Sequence, residues 1–265
     1  MPVRRLVCGI LTLAGCLWAR PGWSQTKDQA RLIFTVSGGV VRGTDLWEVD
    51  AQPVQFITPT DTMALGRDIR TNLGISFAGT YFPGDNLGIA AEAYLLGLGF
   101  EDSCRMAFSS GAADVVTTCE SIQGATKSAS AVTLSAGPVY RFNSRSTFSP
   151  YFRGNLGLVF SNQSSIRMVG HFPTSEGPAD LIVYDDDHES RVEPQFALGA
   201  GFTANIGPGY QLRWEIRDNI TGVQTVTAAT PQARTIPPHE MTFKHLFSLS
   251  IGFDVVLERR KGRRY

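Results

Sequence analysis

The sequence predicts an all-β protein, an eight-stranded antiparallel up-and-down transmembrane β-barrel. Three observations predict it. Apolar residues recur with a period of two and almost never with the 3.6-residue period of a helix. The alternating runs fall into eight strands whose connections are long and short in strict alternation. The less apolar face of those runs carries charges of both signs in mid-strand.

The opening strand, about 31–42, places Leu32, Phe34, Val36 and Val40 on one face. In 71–81, Leu73, Ile75, Phe77 and Tyr81 oppose Asn72, Ser76, Ala78 and Thr80. Pro83-Gly84-Asp85-Asn86 turns the chain into a partner over 87–100, with Glu92 on the less apolar face. A second hairpin pairs 130–142 with 151–161. Val132, Leu134, Ala136, Tyr140, Phe142, Phe152, Leu156, Leu158 and Phe160 share its apolar face, and Arg141 and Arg153 lie opposite. In the third hairpin, Phe196, Leu198, Ala200, Phe202, Ala204 and Ile206 are followed by the turn Gly207-Pro208-Gly209. Tyr210, Leu212, Trp214 and Ile216 then alternate with Gln211, Arg213, Glu215 and Arg217. The closing strand, about 243–257, sets Phe247, Leu249, Ile251, Phe253, Val255 and Leu257 against Asp254. The long connections are about 43–70, 101–129, 162–193 and 221–241. Alternation places all of them at one end of the barrel, opposite both termini. Residues 44–70 and 163–191 contain short β-like stretches such as Ile182-Val183-Tyr184. These extend hairpins beyond the membrane or raise the count to ten strands.

Four features orient the apolar face outward. Glu92, Arg153, Arg213, Glu215, Arg217 and Asp254 are able to pair inside a narrow lumen as a structural ion-pair network. The rest of that face is small, which suits a crowded eight-strand interior. Aromatic residues recur at strand ends (Tyr81 and Phe82, Tyr140 and Phe142, Tyr210) as an interfacial girdle does. Long loops at one end and short turns at the other are the outer-membrane habit. The alternative is a soluble or lipidated periplasmic barrel holding a small apolar ligand, with Phe196, Phe202, Trp214 and Phe253 turned inward.

The 265 residues carry 24 Lys+Arg and 24 Asp+Glu, with 43% hydrophobic and 18% charged residues. A mean hydropathy near zero excludes a polytopic helical membrane protein. The balanced charge excludes electrostatic capture of nucleic acid. Residues 1–24 read as a signal peptide: two early arginines, the apolar run Leu6 to Ala19, then Gly22-Trp23-Ser24. A competing reading takes Leu13-Ala14-Gly15-Cys16 as a lipidation site. Either way the exported chain keeps Cys104 and Cys119, an even pair that reads as one disulfide. Residues 25–257 form the barrel domain and 258–265 a basic periplasmic tail.

The final strand carries Ser250-x-Gly252-x-x-Val255-x-Leu257, and the whole chain from residue 25 repeats strand, short turn, strand, long loop. In both respects it resembles the small eight-stranded bacterial outer-membrane barrels, the OmpX, OmpA-barrel and opacity-protein group. The resemblance implies residence in the bacterial outer membrane. It also implies contact with outer-membrane lipid and lipopolysaccharide, and recognition of the last strand by the barrel assembly machinery. The chain departs from that group by continuing past the last strand into its basic tail.

The expected function is structural or adhesion-type, with four long loops meeting an extracellular partner. No catalytic residue, metal or cofactor is expected. The alternative of a lipid-modifying enzyme needs a His–Ser–carboxylate cluster. The histidines are His171, His188, His239 and His245; His245 and Ser248 lie three apart on one strand and so point to opposite faces. Tyr184-Asp185-Asp186-Asp187-His188-Glu189 lacks the spacing of a calcium loop and reads as a solvated acidic loop.

Overall fold

The computed structural model describes residues 31–53, 61–109, 111, 113–144, 146–175, 177–186, 191–228 and 236–258. The signal peptide, the Cys16 reading and the basic tail beyond Glu258 lie outside them.

Eight long strands form the wall: β1 (Arg31–Gly43), β4 (Asn72–Phe82), β5 (Leu87–Phe108), β6 (Thr126–Arg141), β7 (Phe148–Ser161), β10 (Arg191–Gly207), β11 (Tyr210–Val226) and β12 (His239–Glu258). Each pairs antiparallel with the next, and β1 pairs with β12 from Arg31↔Glu258 to Gly43↔Leu246, so the ring closes. Followed sideways from Arg42, the register passes Phe247, Asp218, Leu198 and Gly154, then Pro138, Ile89 and Tyr81. It returns to β1 at Leu32, ten residues from where it began. Such a stagger over eight strands tilts them by about 40°. Ten residues at about 3.3 Å each, so tilted, climb about 25 Å, the height of the apolar band of an outer-membrane barrel.

The outward residues keep to that band. Leu73 is 73% exposed, and Ile89, Leu156 and Ile216 are exposed beside it, whereas inward-facing Ser76, Thr80, Thr133 and Asn155 are buried. Polar residues take over at the upper rim: Arg42 after Val40, Ser130 before Val132, Asn162 after Phe160, His245 before Phe247. Near the short-turn end, Phe148, Phe202 and Trp214 stack in a row, as do Tyr210 and Phe253. Phe253 is exposed on the wall, which overturns the soluble-carrier reading that turned it inward with Phe202 and Trp214. Phe82 is a smaller correction: it is not a girdle residue but points inward, 2% exposed. Neighbours on a strand face opposite ways, so Tyr81 outside puts Phe82 inside.

Three of the four long connections hold secondary structure of their own. The first holds the hairpin of β2 (Asp45–Pro53) and β3 (Thr62–Ile69), and β3 pairs with the upper part of β5, from Phe100 to Phe108. The second holds a helix, α1 (Ala113–Ile122), that the sequence reading missed. Its buried residues are Val115, Thr118, Cys119 and Ile122, the i, i+3, i+4, i+7 pattern of a single apolar stripe. Gly124 ends it at φ +73°, the left-handed turn that glycine adopts without strain. The third holds the hairpin β8 (Met168–Thr174) and β9 (Gly177–Tyr184), whose Gly170 lies tight against Thr118 and Ile122 of the helix. The ring keeps eight strands, and the β-like stretches of 44–70 and 163–191 become these two hairpins above it.

Together these elements make a cap with its own apolar core. Leu46, Met63, Leu65, Ile122, Ile166, Met168, Tyr184 and Leu246 are all 1% exposed or less. Cys104 on β5 and Cys119 on α1 form a disulfide with a sequence separation of 15. A cross-link closing a loop of that length stabilises by roughly 3 kcal/mol. Replacing both cysteines by alanine is therefore expected to speed proteolysis of the cap without altering the heat-shifted migration of the barrel. Limited digestion and an unboiled gel run side by side check this.

Candidate functional site

The six predicted lumen charges meet inside the ring. Glu92 of β5 accepts from Arg217 of β11 at 2.7 and 2.8 Å and from Arg153 of β7 at 3.2 Å. Glu215 accepts from Arg153 at 2.6 and 3.0 Å and from Arg217 at 2.9 Å. A second cluster lies nearer the short turns. Arg213 donates to both oxygens of Asp254, at 2.9 to 3.2 Å, and the Thr35 hydroxyl donates to Asp254 Oδ1 at 2.7 Å. Tyr151 joins the two clusters: its hydroxyl donates to Glu215 at 2.6 Å while its ring lies under the Arg213 guanidinium. Three guanidinium groups thus face three carboxylates, and every one of the six is buried.

Aromatic rings complete the filling. Tyr94 packs against Arg217, in space left by Gly74, where a Cβ would come within 2.3 Å of the tyrosine oxygen. Arg141 lies over the ring of inward-facing Phe82, 4.5 Å from its centroid. Alternation had placed Arg141 on this face without giving it a role. Tyr151 was missed because a tyrosine beside outward-facing Phe152 carries no local sign that it faces the lumen.

A second buried ion pair holds the cap. Arg67 of β3 is 0% exposed. It donates to both oxygens of Asp102 of β5 at 2.5 and 2.9 Å, to the Ser165 carbonyl at 2.9 Å and to the Arg167 carbonyl at 2.8 Å. Its guanidinium lies over the rings of both Trp47 and Phe100. Trp47 Nε1 also donates to the Ser165 carbonyl at 3.0 Å, and the Ser165 hydroxyl donates to the Gln224 carbonyl at 2.7 Å. All four long connections are tied together through this one group of residues. Nothing local in the sequence signals it, because the partners lie 35 to 118 residues apart.

The acidic segment is drawn into the same structure. Tyr184 is buried and hydrogen-bonds Gln52. Asp186 is buried and accepts from the Ser164 hydroxyl at 2.8 Å, while Asp185 lies 3.9 Å from Arg167. Its first three residues are thus not a solvated loop; Asp187, His188 and Glu189 lie outside the described residues. No group of three metal-ligating side chains occurs among the described residues. His171 pairs with Asp180 at 2.6 Å on the β8–β9 hairpin, and the ring of His239 contacts the Pro237 carbonyl. His245 pairs with Asp218 at 2.8 Å on the outer wall, whereas Ser248 is buried in the lumen, where Asn219 donates to it.

This is the fold of a small eight-stranded outer-membrane β-barrel with a plugged lumen. No family model and no curated protein matches the chain. Among solved structures it is similar to OprG from Pseudomonas aeruginosa, at 11% identity and TM-score 0.49, covering 88% of this chain and 98% of that one. It is similar to Neisserial surface protein A, at 10% identity and TM-score 0.41 over 85% and 97%. It is also similar to Ail of Yersinia pestis in complex with the heparin analogue sucrose octasulfate, at 12% identity and TM-score 0.40 over 86% and 99%.

Removing one partner of a buried ion pair strands the other and typically costs about 3–5 kcal/mol. Glu92→Ala leaves Arg153 and Arg217 each short of a carboxylate. It is expected to lower the urea midpoint of the folded, unboiled band by more than Glu92→Ala combined with Arg217→Ala does.

The cap also carries a charge conflict. Burial, then neighbouring Asp45, Glu101 and Glu48, raise the carboxyl of Asp68 above its ordinary value. The folded state therefore holds this proton more tightly than the unfolded chain. Stability falls as pH rises from about 4 through the folded-state value. Asp68→Asn is expected to raise the melting temperature of the cap at pH 7 and to flatten that dependence, as read by melting between pH 4 and 8.

Proposed function

We propose that the chain is exported to the bacterial outer membrane and acts there as a structural and surface-interaction protein of adhesion type. Its apolar belt meets outer-membrane lipid and lipopolysaccharide, and its last strand presents the assembly signal. The short turns face the periplasm and the cap faces outward. The observation that carries this reading is the pairing of a sealed lumen with a built cap. Three matched ion pairs and their aromatic neighbours occupy the interior, which favours a surface role over transport along the axis. A rigid surface raised on a rigid wall is the usual setting for recognition. The working surface is then a folded unit and not four separate loops. Among the described residues, His245 and Ser248 occupy opposite faces of one strand, which counts against their acting as a catalytic pair.

Two measurements test it. Purified protein in a planar bilayer is expected to give no steady conductance steps; regular steps would make it a pore. An epitope inserted at Ser175, in the turn between β8 and β9, is expected to be labelled by antibody on intact cells. Labelling only after lysis would overturn the orientation.

A further inference from the structure

On the flank of the cap, a polar cavity of about 350 Å³ opens between the start of β6 and the turn joining β7 to β8. It is lined by Lys127, Asn162, Gln163, Ser164, Arg167 and Asp186. Every lining side chain is polar, and two are cations.

The floor of this cavity is held from behind. The turn 162–167 hangs from the buried Arg67, which takes the carbonyls of Ser165 and Arg167. The Asn162 side-chain oxygen accepts from the Ser130 backbone N–H at 3.0 Å, which turns its amide N–H groups away from that bond. Ser164 is fixed by Asp186 and by the backbone N–H of Ile166 at 3.1 Å. Lys127 Nζ donates to the Arg167 carbonyl at 3.0 Å and lies 3.8 Å from Asp102. An ammonium has three N–H groups, so this geometry keeps one for the cavity. A site already ordered in this way loses little freedom on binding.

We infer that this cavity binds an anionic sugar. Lys127 and Arg167 take its carboxylate or phosphate, and Asn162, Gln163 and Asp186 take ring hydroxyls. The lining residues offer charged and amide donors and a carboxylate acceptor but no apolar side chain, which suits a polyhydroxylated ligand better than an acyl chain. The volume accommodates about one or two sugar rings. The inference deepens the proposed surface role and rests on the cap facing the cell exterior, where such sugars occur.

Lys127 adds a signature. Burial lowers its ammonium to about 8, with Arg67 and Arg167 pushing the same way and Asp102 opposing them. Asp186 also faces the cavity. An anion seated against Lys127 holds its proton, so binding weakens as pH rises through about 8.

The test is calorimetry on the full-length protein in detergent, with D-glucuronate, glucose 6-phosphate, D-glucose and inorganic phosphate as probes. Glucuronate, glucose 6-phosphate or both are expected to bind at least about tenfold more tightly than glucose and than phosphate. Which of the two binds assigns the anion. Lys127→Ala and Arg167→Ala are each expected to weaken binding about tenfold while the unboiled band migrates normally. Lys127→Arg is expected to retain binding and lose its decline between pH 7 and 9. Anionic sugars that bind no better than glucose overturn the proposal. So does inorganic phosphate binding as tightly as the tighter of the two anionic sugars, or unchanged affinity in both alanine variants. Calorimetry in micelles does not depend on orientation. Binding there without surface labelling on cells would sink the exterior reading and leave the cavity's chemistry standing.

Discussion

Everything in this structure depends on closing the ring. Inside hydrocarbon an unpaired N–H or C=O costs several kcal/mol, and a sheet edge is a row of them. The pairing of β1 with β12 over their whole shared length removes the last edge. Closure then dictates the rest. A ring of eight strands staggered by ten residues has a narrow interior, and the period-two pattern fills it with whatever does not face lipid. Charge in that interior is mostly matched: Glu92, Glu215 and Asp254 pair with Arg153, Arg217 and Arg213, while Arg141 rests on the ring of Phe82. The seal is thus a by-product of closure and charge balance as much as a feature in its own right.

The cap follows a different logic. Above the rim, water satisfies backbone groups, and nothing compels the four connections to associate. Burial of their apolar core favours association, and the needs of the buried Arg67 fix how they fit together. A guanidinium removed from water needs its donors filled, and Asp102, Ser165 and Arg167 fill them from two other connections. The rings of Trp47 and Phe100 pack against the group. The apolar core of Leu46, Met63, Ile122, Ile166 and Met168 packs around this polar group.

The wall was legible from sequence because a lipid boundary imposes one rule on every strand. Leu73, Ile75 and Phe77 have to alternate with small or polar residues, and they do so visibly. The six lumen charges were legible for the same reason, since each interrupts an apolar strand on its inner face. Helix α1 was hard to read because its stripe spans eight residues and only two turns, too short to stand out from loop composition. Arg67 was illegible altogether: its strand is short, its partners are distant in sequence, and buried arginine looks like exposed arginine until the fold brings Asp102 to it. Phe82 was misread because two adjacent aromatics look like a girdle, whereas a strand allows only one of them outside.

The adjacency of Arg31 and Glu258 has one further consequence. The two ends of the barrel lie side by side at the short-turn end, and the turns at Pro83–Asn86 and Gly207–Gly209 lie at that same end, remote from the cap. The molecule is therefore a natural candidate for circular permutation. A linker joining the old ends and a new opening at either turn would leave the ring register, the lumen charges and the cap untouched. The order in which strands leave the ribosome would change while the finished object stayed the same.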